Sequence, residues 1–328
     1  MENGKLLYLS AGDVAALLDW DSALRAATEA FRALALGAVA APQRLHLNIP
    51  ETEGVQLIKP AYSAKAAAIG VKMISLFNRN PERNLPFSHA LMTLFDGETG
   101  RPLAVMDGDV LTAIRTGAAA GIATQYLARE DGEILGIVGA GKQARTQFQA
   151  ISRVRKLKKV ILVDKDHEKA RQFAKELEGE VPAVEVSTEP RVLPQAQIIS
   201  TVTTAGEAVL GEADVAEGCH INAMGAFKAH QRELPGKLLK RAKVYVDYRP
   251  ACLTEAGDIL LAEKEGYFHR EKICGEIGEV VLGKTASRSE KNEITIFKSV
   301  GHAVQDLTAA VAVYQKAKEQ QAGQWLPL

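Results

Sequence analysis

Ile134–Leu135–Gly136–Ile137–Val138–Gly139–Ala140–Gly141–Lys142–Gln143–Ala144 is the stretch that decides the fold. Its first five residues read as a short buried strand. The G-x-G-x-x-A pattern that follows places a turn glycine at Gly139 and, at Gly141, a glycine that lets the backbone approach an anion. Small Ala144 lets a helix pack close to the strand, and the helical stretch opening at Gln143 offers unpaired N–H groups to that anion. Glycines also end strands for purely structural reasons, so the loop alone is a weak signal. Asp164 strengthens it: it ends the next strand, 23 residues after Gly141, where an acid hydrogen-bonds ribose hydroxyls. The pattern predicts a nicotinamide dinucleotide site built from Gly139, Ala140, Gly141, Lys142, Gln143, Asp164 and Lys165. Asp164 repels a 2′-phosphate and favours NAD(H) over NADP(H); Lys165 weakens that preference without reversing it.

Downstream, Val160–Val163, Ala183–Val186, Ile198–Val202, His220–Met224 and Val244–Asp247 are further β-rich runs, most of them separated by helical stretches. Such alternation implies an α/β architecture with a Rossmann-type doubly wound parallel sheet. Ser200, Thr201 and Thr203 end the fourth strand, and Met224 and Gly225 end the fifth, where ligands gather in open α/β sheets. Ordinary strand-end turn chemistry is the alternative reading of those residues. Upstream, Ser10 and Asp13 have capping-box spacing ahead of an apolar helical face that runs through Val14, Leu24 and Phe31 to a stop at Gly37. Strands over 44–48, 55–58, 70–76, 90–95 and 103–106 follow, then an Ala/Gly-rich helix over 116–128. A helix followed by a strand meander suggests a separate α+β domain. A Thr295–Phe297 strand and a helix over 303–318 return the chain to it.

Forty basic residues balance forty acidic ones. That balance argues against nucleic acid or a membrane surface as partner and suits a small molecule. Cys219, Cys252 and Cys274 lack the spacing of a disulfide framework or metal site, which fits a reducing, cytoplasmic setting with no metal. Neither a signal peptide nor a membrane span is expected.

Further segments carry a family pattern: Gly70–Val71–Lys72, the block Asp107–Gly108–Asp109 through Ile114–Arg115–Thr116–Gly117–Ala118–Ala119, Ile221–Asn222–Ala223–Met224–Gly225–Ala226 and Phe297–Lys298–Ser299–Val300–Gly301. With the glycine loop, they make the chain resemble the ornithine cyclodeaminase/μ-crystallin family nearly end to end. The resemblance implies a homodimer. It also implies a substrate-binding and dimerisation domain over 1–117 with 302–328, and an NAD(P)-binding domain over 118–301. It further implies that Arg44, Lys72 and Arg115 hold a substrate carboxylate, that Arg115 and Thr116 lie by the cofactor, and that Ser299 to Gly301 close over the nicotinamide. Lys72 sits between Val71 and Met73, and a cation inside an apolar strand is costly unless it meets an anion. Its alternative partners are acids such as Asp107 or Asp109. Lys72 is also the candidate proton shuttle.

The departures narrow the activity. Leu57 and Phe227 stand where the cyclodeaminases place two acids, so ornithine cyclisation lacks its proton-handling groups. The expected activity is NAD(P)H-dependent reduction of a 2-imino acid, cyclic such as pyrroline- or piperideine-2-carboxylate or acyclic, or the reverse amino acid dehydrogenation. The alternatives are a cyclodeaminase-type lyase and a non-catalytic binder of the μ-crystallin kind. Lys59 stands where relatives more often carry Met; it either faces the pocket, to bind a second acidic group or tune an imine, or points to solvent. Phe87 occupies a position where Thr is common, with Ser88 or His89 as substitutes. His302 and Asp306 read as helix start and helix face.

Overall fold

The computed structural model describes residues 4–328. In chain order it contains β1 (Lys5–Leu9), α1 (Ala11–Leu17), α2 (Trp20–Ala35), β2 (Val39–Ala40), β3 (Leu45–Ile49), β4 (Gly54–Ser63), β5 (Ala68–Phe77), β6 (Ser88–Asp96), β7 (Pro102–Asp107) and α3 (Gly108–Leu127). There follow β8 (Ile134–Val138), α4 (Lys142–Val154), β9 (Lys159–Val163), α5 (His167–Glu176), β10 (Ala183–Ser187), β11 (Ile198–Thr201), β12 (His220–Ala223), α6 (Gly236–Arg241) and β13 (Ala242–Val246). The chain ends with α7 (Arg249–Glu255), α8 (Gly257–Lys264), β14 (Ile273–Glu276), α9 (Ile277–Val281), β15 (Ile294–Lys298), α10 (Ala303–Gln320) and β16 (Gln324–Pro327). Two compact units result: one takes in the chain up to Arg115 with His302–Leu328, the other Thr116–Gly301.

Two local expectations are corrected by capping. The single helix expected before Gly37 is two, because Asp19 accepts the Ser22 N–H at 2.8 Å and starts α2 afresh. Helix α3 begins at Gly108 rather than 116, because Asp107 accepts the Val110 N–H at 2.7 Å at its entry. Thr112 and Arg115 are therefore helical. The Ser10–Asp13 capping box forms as its spacing suggests.

The first unit's sheet runs β16-β1-β7-β6-β5-β4-β2, with β3 also on β4, and only β1 and β7 pair in parallel. Strand alternation puts Leu57, Lys59, Gly70, Lys72, Met92 and Leu94 on one buried face. Helix α10 packs on β4, β5 and β6 and also touches α2. Gly70 allows this approach: a Cβ there would fall 2.9 Å from Leu307 and 2.5 Å from the end of Met92. The opposite face is apolar yet open, with Leu45, Leu47, Tyr62 and Leu91 between 37% and 55% exposed.

The second unit's sheet runs β10-β9-β8-β11-β12-β15-β13-β14 and is parallel throughout. Along β9, Val160 and Leu162 enter one core while Ile161 and Val163 enter another, so both faces are covered. This is the expected doubly wound α/β sheet. Chain order reverses on either side of β8, which makes the carboxyl ends of β8 and β11 the switch-point crevice. No helix among the described residues is long and apolar enough to cross a membrane.

Candidate functional site

In the second unit the glycine loop leaves β8 with Gly139 at φ 99°, and a Cβ there would lie 2.9 Å from the Val202 carbonyl oxygen beyond β11. Only glycine suits both constraints. Gly141 caps α4 without any side-chain hydrogen bond, and an added Cβ would meet nothing within 4 Å. Uncapped helix N–H groups beside open space fit the pyrophosphate of a dinucleotide. Asp164 serves first as a clamp: Oδ2 accepts the Ala140 N–H at 2.7 Å and Oδ1 the Asp166 N–H at 2.9 Å. A carboxylate offers about four lone-pair positions, so acceptor capacity for a ribose remains. Arg145, which the sequence reading passed over, holds the loop from the other side by donating to the Ala140 and Gly141 carbonyls at 2.9 and 3.1 Å. Lys142 and Lys165 are exposed and Gln143 is half-buried.

Two buried acids, also unforeseen, organise the strand ends. Glu233 accepts from the Thr201 hydroxyl at 2.9 Å, the Thr203 N–H at 2.7 Å and the Gly225 N–H at 2.7 Å, tying the ends of β11 and β12 together. Thr201 is fully buried with its hydroxyl proton turned to Glu233, so the structure gives it a supporting place rather than a donor's. Asp247 accepts from the Ser299 hydroxyl at 2.6 Å and the Gly301 N–H at 2.8 Å, which fixes that turn. Met224 and Gly225 are half-buried, and Thr116 is buried.

In the first unit, Lys59, Lys72 and Arg115 converge on one carboxylate, Asp306. Lys72 Nζ donates to Asp306 Oδ1 at 2.7 Å and to Thr112 Oγ1 at 2.9 Å. Arg115 donates through Nε to the same Oδ1 at 2.8 Å and through Nη1 to Gln305 at 2.9 Å. Lys59 Nζ lies 3.2 Å from Oδ2. Lys59 thus faces inward, not to solvent. Asp107 and Asp109, the acids expected as structural partners, do other work: Asp107 caps α3, and Asp109 accepts from Ser88 and the Ala90 N–H.

Three buried cations around one buried anion strain each other's protons. Burial raises the Asp306 carboxyl, but Arg115, Lys59 and Lys72 outweigh it and hold the group far below the ordinary carboxylate range. Burial drives Lys72 well below the ordinary lysine value, with Lys59 and Arg115 adding to the fall and Asp306 opposing it. Burial likewise lowers Lys59 to about 8, against the pull of Asp306 and with the charges of Arg44 and Arg115 reinforcing the fall. Arg44 itself is half-buried, just ahead of β3. One signal for Asp306 was readable: it interrupts the small and apolar stripe Ala303, Ala310, Val313 and Ala317 at helical spacing.

Other candidates fall elsewhere. His89 pairs with Ser75 on the sheet face opposite Lys72, exposed in a surface pocket with Phe77, Arg79 and Arg83. Ser88 donates to Asp109 at 2.7 Å. Leu57 is buried two residues before Lys59, and Phe227 packs on a hydrophobic core.

The model of the ornithine cyclodeaminase/mu-crystallin family matches residues 5–321. A Delta(1)-pyrroline-2-carboxylate reductase of Bacillus cereus is 35% identical over 321 residues, covering 97% of this chain and 98% of the relative. The structure of Thermococcus litoralis Delta(1)-pyrroline-2-carboxylate reductase, in complex with NADH and L-proline, superimposes with a TM-score of 0.94 at 36% identity over 97% of this chain and 99% of that one. An archaeal alanine dehydrogenase dimer with bound NAD gives 0.93 at 35% identity, covering 98% and 99%.

Proposed function

The chain belongs to the ornithine cyclodeaminase/mu-crystallin family, and on that footing we propose that it reduces 2-imino acids to L-amino acids with NAD(P)H, NAD(H) being the preferred dinucleotide. The same site run in reverse oxidises an amino acid. One observation carries the reading: Lys72 and Arg115 lie 2.7 and 2.8 Å from one oxygen of the buried Asp306 carboxylate and Lys59 lies 3.2 Å from the other, so three cations gather at one point where an anion can be received.

Gly141 and the start of α4 receive the pyrophosphate, and Asp164 accepts from the ribose. When bound, the reduced dinucleotide supplies the hydride. Arg115, Lys72 and Arg44 bind the substrate carboxylate and thereby set the C=N carbon, and fixed orientation supplies much of the acceleration. Lys72 Nζ, placed by Thr112 and Asp306 and with its proton loosened by burial, gives that proton to the substrate nitrogen as the amine forms. Leu57 and Phe227, apolar where the cyclodeaminases carry acids, argue against the lyase reaction.

Loss of NADH absorbance with 1-pyrroline-2-carboxylate or 1-piperideine-2-carboxylate tests the reading. Ammonia release from ornithine without net redox change would identify a cyclodeaminase instead, and tight NADH binding without turnover a binder. A homodimer is part of the proposal, its interface the open apolar face bearing Leu45, Leu47, Tyr62 and Leu91. The supporting relative is the dehydrogenase dimer. Three free cysteines suit a cytoplasmic location.

A further inference from the structure

The paired register of β11 and β12 ends at Thr201 and Ala223, and beyond it both chains turn to one carboxylate. Glu233 Oε1 accepts from the Thr203 N–H and hydroxyl at 2.7 and 2.9 Å, and Oε2 from the Gly225 N–H at 2.7 Å and the Thr201 hydroxyl at 2.9 Å. Gly225 lies so near that a Cβ would fall 2.4 Å from Oε1. Glu233 is itself held. Asp258 Oδ1 accepts the Glu233 and Leu234 N–H groups at 2.7 and 2.9 Å. Asp258 Oδ2 lies 2.7 Å from Lys298 Nζ, which also donates to the Ala226 carbonyl at 2.5 Å. Lys298 ends β15, so one buried network spans the ends of three neighbouring strands. Apolar packing closes a strand end at least as stably as buried charge does. What the carboxylate adds is direction, because each donor must aim at one of two oxygens. The clamped segment also borders the glycine loop. A Cβ on Gly139 would lie 2.9 Å from the Val202 carbonyl oxygen and 3.2 Å from Thr203 Cγ2, so residues 202 and 203 wall the switch-point crevice.

We propose that Glu233 is a positioning residue for the nicotinamide half of the dinucleotide. Asp164, at the end of β9, marks the adenosine side of the switch point, and β11, β12 and β15 lie on the other side, where the nicotinamide half belongs. Glu233 touches no reacting atom. It fixes where the exits of β11 and β12 turn, and with them the backbone offered to the ring. Asp258 holds Glu233 in place, and Lys298 links that anchor to the end of β15. The inference rests on the dinucleotide reading of the glycine loop and not on which imine is reduced.

Two titrations of the full chain test it: NADH by fluorescence, and ADP-ribose, which lacks only the nicotinamide, by calorimetry. Glu233→Gln keeps the shape but replaces one accepting oxygen by an amide that points hydrogens at N–H and O–H donors. NADH affinity should fall on the order of 10-fold or more, because buried donors lose their partner. ADP-ribose affinity should stay within about 2-fold, since its contacts lie on the far side of the crevice. Thr201→Val is the milder variant, should Glu233→Gln fail to fold. Thr201 has no exposed surface, so its hydroxyl reaches the cofactor only through Glu233. Its loss should weaken NADH about 3-fold or more and again spare ADP-ribose. Unchanged NADH affinity in a folded variant overturns the proposal. An equal loss for both ligands does the same, since a merely structural role would produce it. An unmodified chain that binds no NADH removes the dinucleotide reading and this inference together. NADH binding without turnover of any imine counts against the reductase reading alone.

Discussion

Asp306 Oδ1 lies 2.7 Å from Lys72 Nζ, joining α10 to β5 across 234 residues of sequence. The lysine expected to meet a substrate anion already has a permanent one. Neutralisation is partial, because Lys59 and Arg115 draw on the same group. Asp306 therefore acts as a positioning residue: it assembles the cations without cancelling them.

Replacing Asp306 by Asn should be severe. The cations lose their common partner, and breaking a buried ion pair from one side costs about 3–5 kcal/mol. Urea unfolding should register that loss. If the variant folds, Lys72 loses the attraction that opposes its depression, so its proton leaves at lower pH. The alkaline fall of kcat should then begin at lower pH than in the parent, a shift that a purely structural role would not produce.

Lys72→Ala should lower kcat by roughly 10²–10⁴-fold, the usual contribution of a positioned proton donor. NADH affinity, measured by fluorescence titration, should change little, because the glycine loop and Asp164 lie in the other unit. Near-normal turnover would remove the role assigned to Lys72.

The loop glycines should separate stability from binding. Gly139→Ala forces a side chain into φ 99° and against the Val202 carbonyl, and should cost about 1–3 kcal/mol in unfolding experiments. Gly141→Ala adds a Cβ that meets no neighbour and should leave stability within about 0.5 kcal/mol. It should nevertheless weaken NADH binding by an order of magnitude or more, since the new side chain takes the room left for the pyrophosphate.

Affinity for anionic substrates should fall as pH rises through about 8, where Lys59 loses its proton against the combined charges of Lys72, Arg115 and Arg44 and the counter-pull of Asp306. The stability sign is opposite. The folded amine titrates near 8 and the unfolded one near 10.5, so between these values the unfolded chain holds more protons. Lys59's destabilising contribution is full below pH 8 and is relieved as pH rises toward 10.5. Calorimetric KD values and denaturant midpoints from pH 7 to 10 check both trends.

Short-range periodicity along the chain encodes the local elements. The run from Ile134 to Ala144, the β–α alternation after it and the Ser10–Asp13 capping box are local patterns, and the sheet of the second unit follows from them. Lys72 was singled out for the same reason, as a cation among apolar strand neighbours. Tertiary structure decided which charges meet. Spacing along the chain carries no distance information between residues 72 and 306, so Asp306 read as a helix face until α10 lay over Gly70. Register likewise sent His89 to the far face of the sheet and turned Lys59 inward. Glu233 and Asp247 were illegible because a carboxylate's role depends on which backbone N–H groups surround it in space. Local sequence sets the elements, while Coulombic and hydrogen-bond partners are chosen by packing between elements distant in the chain.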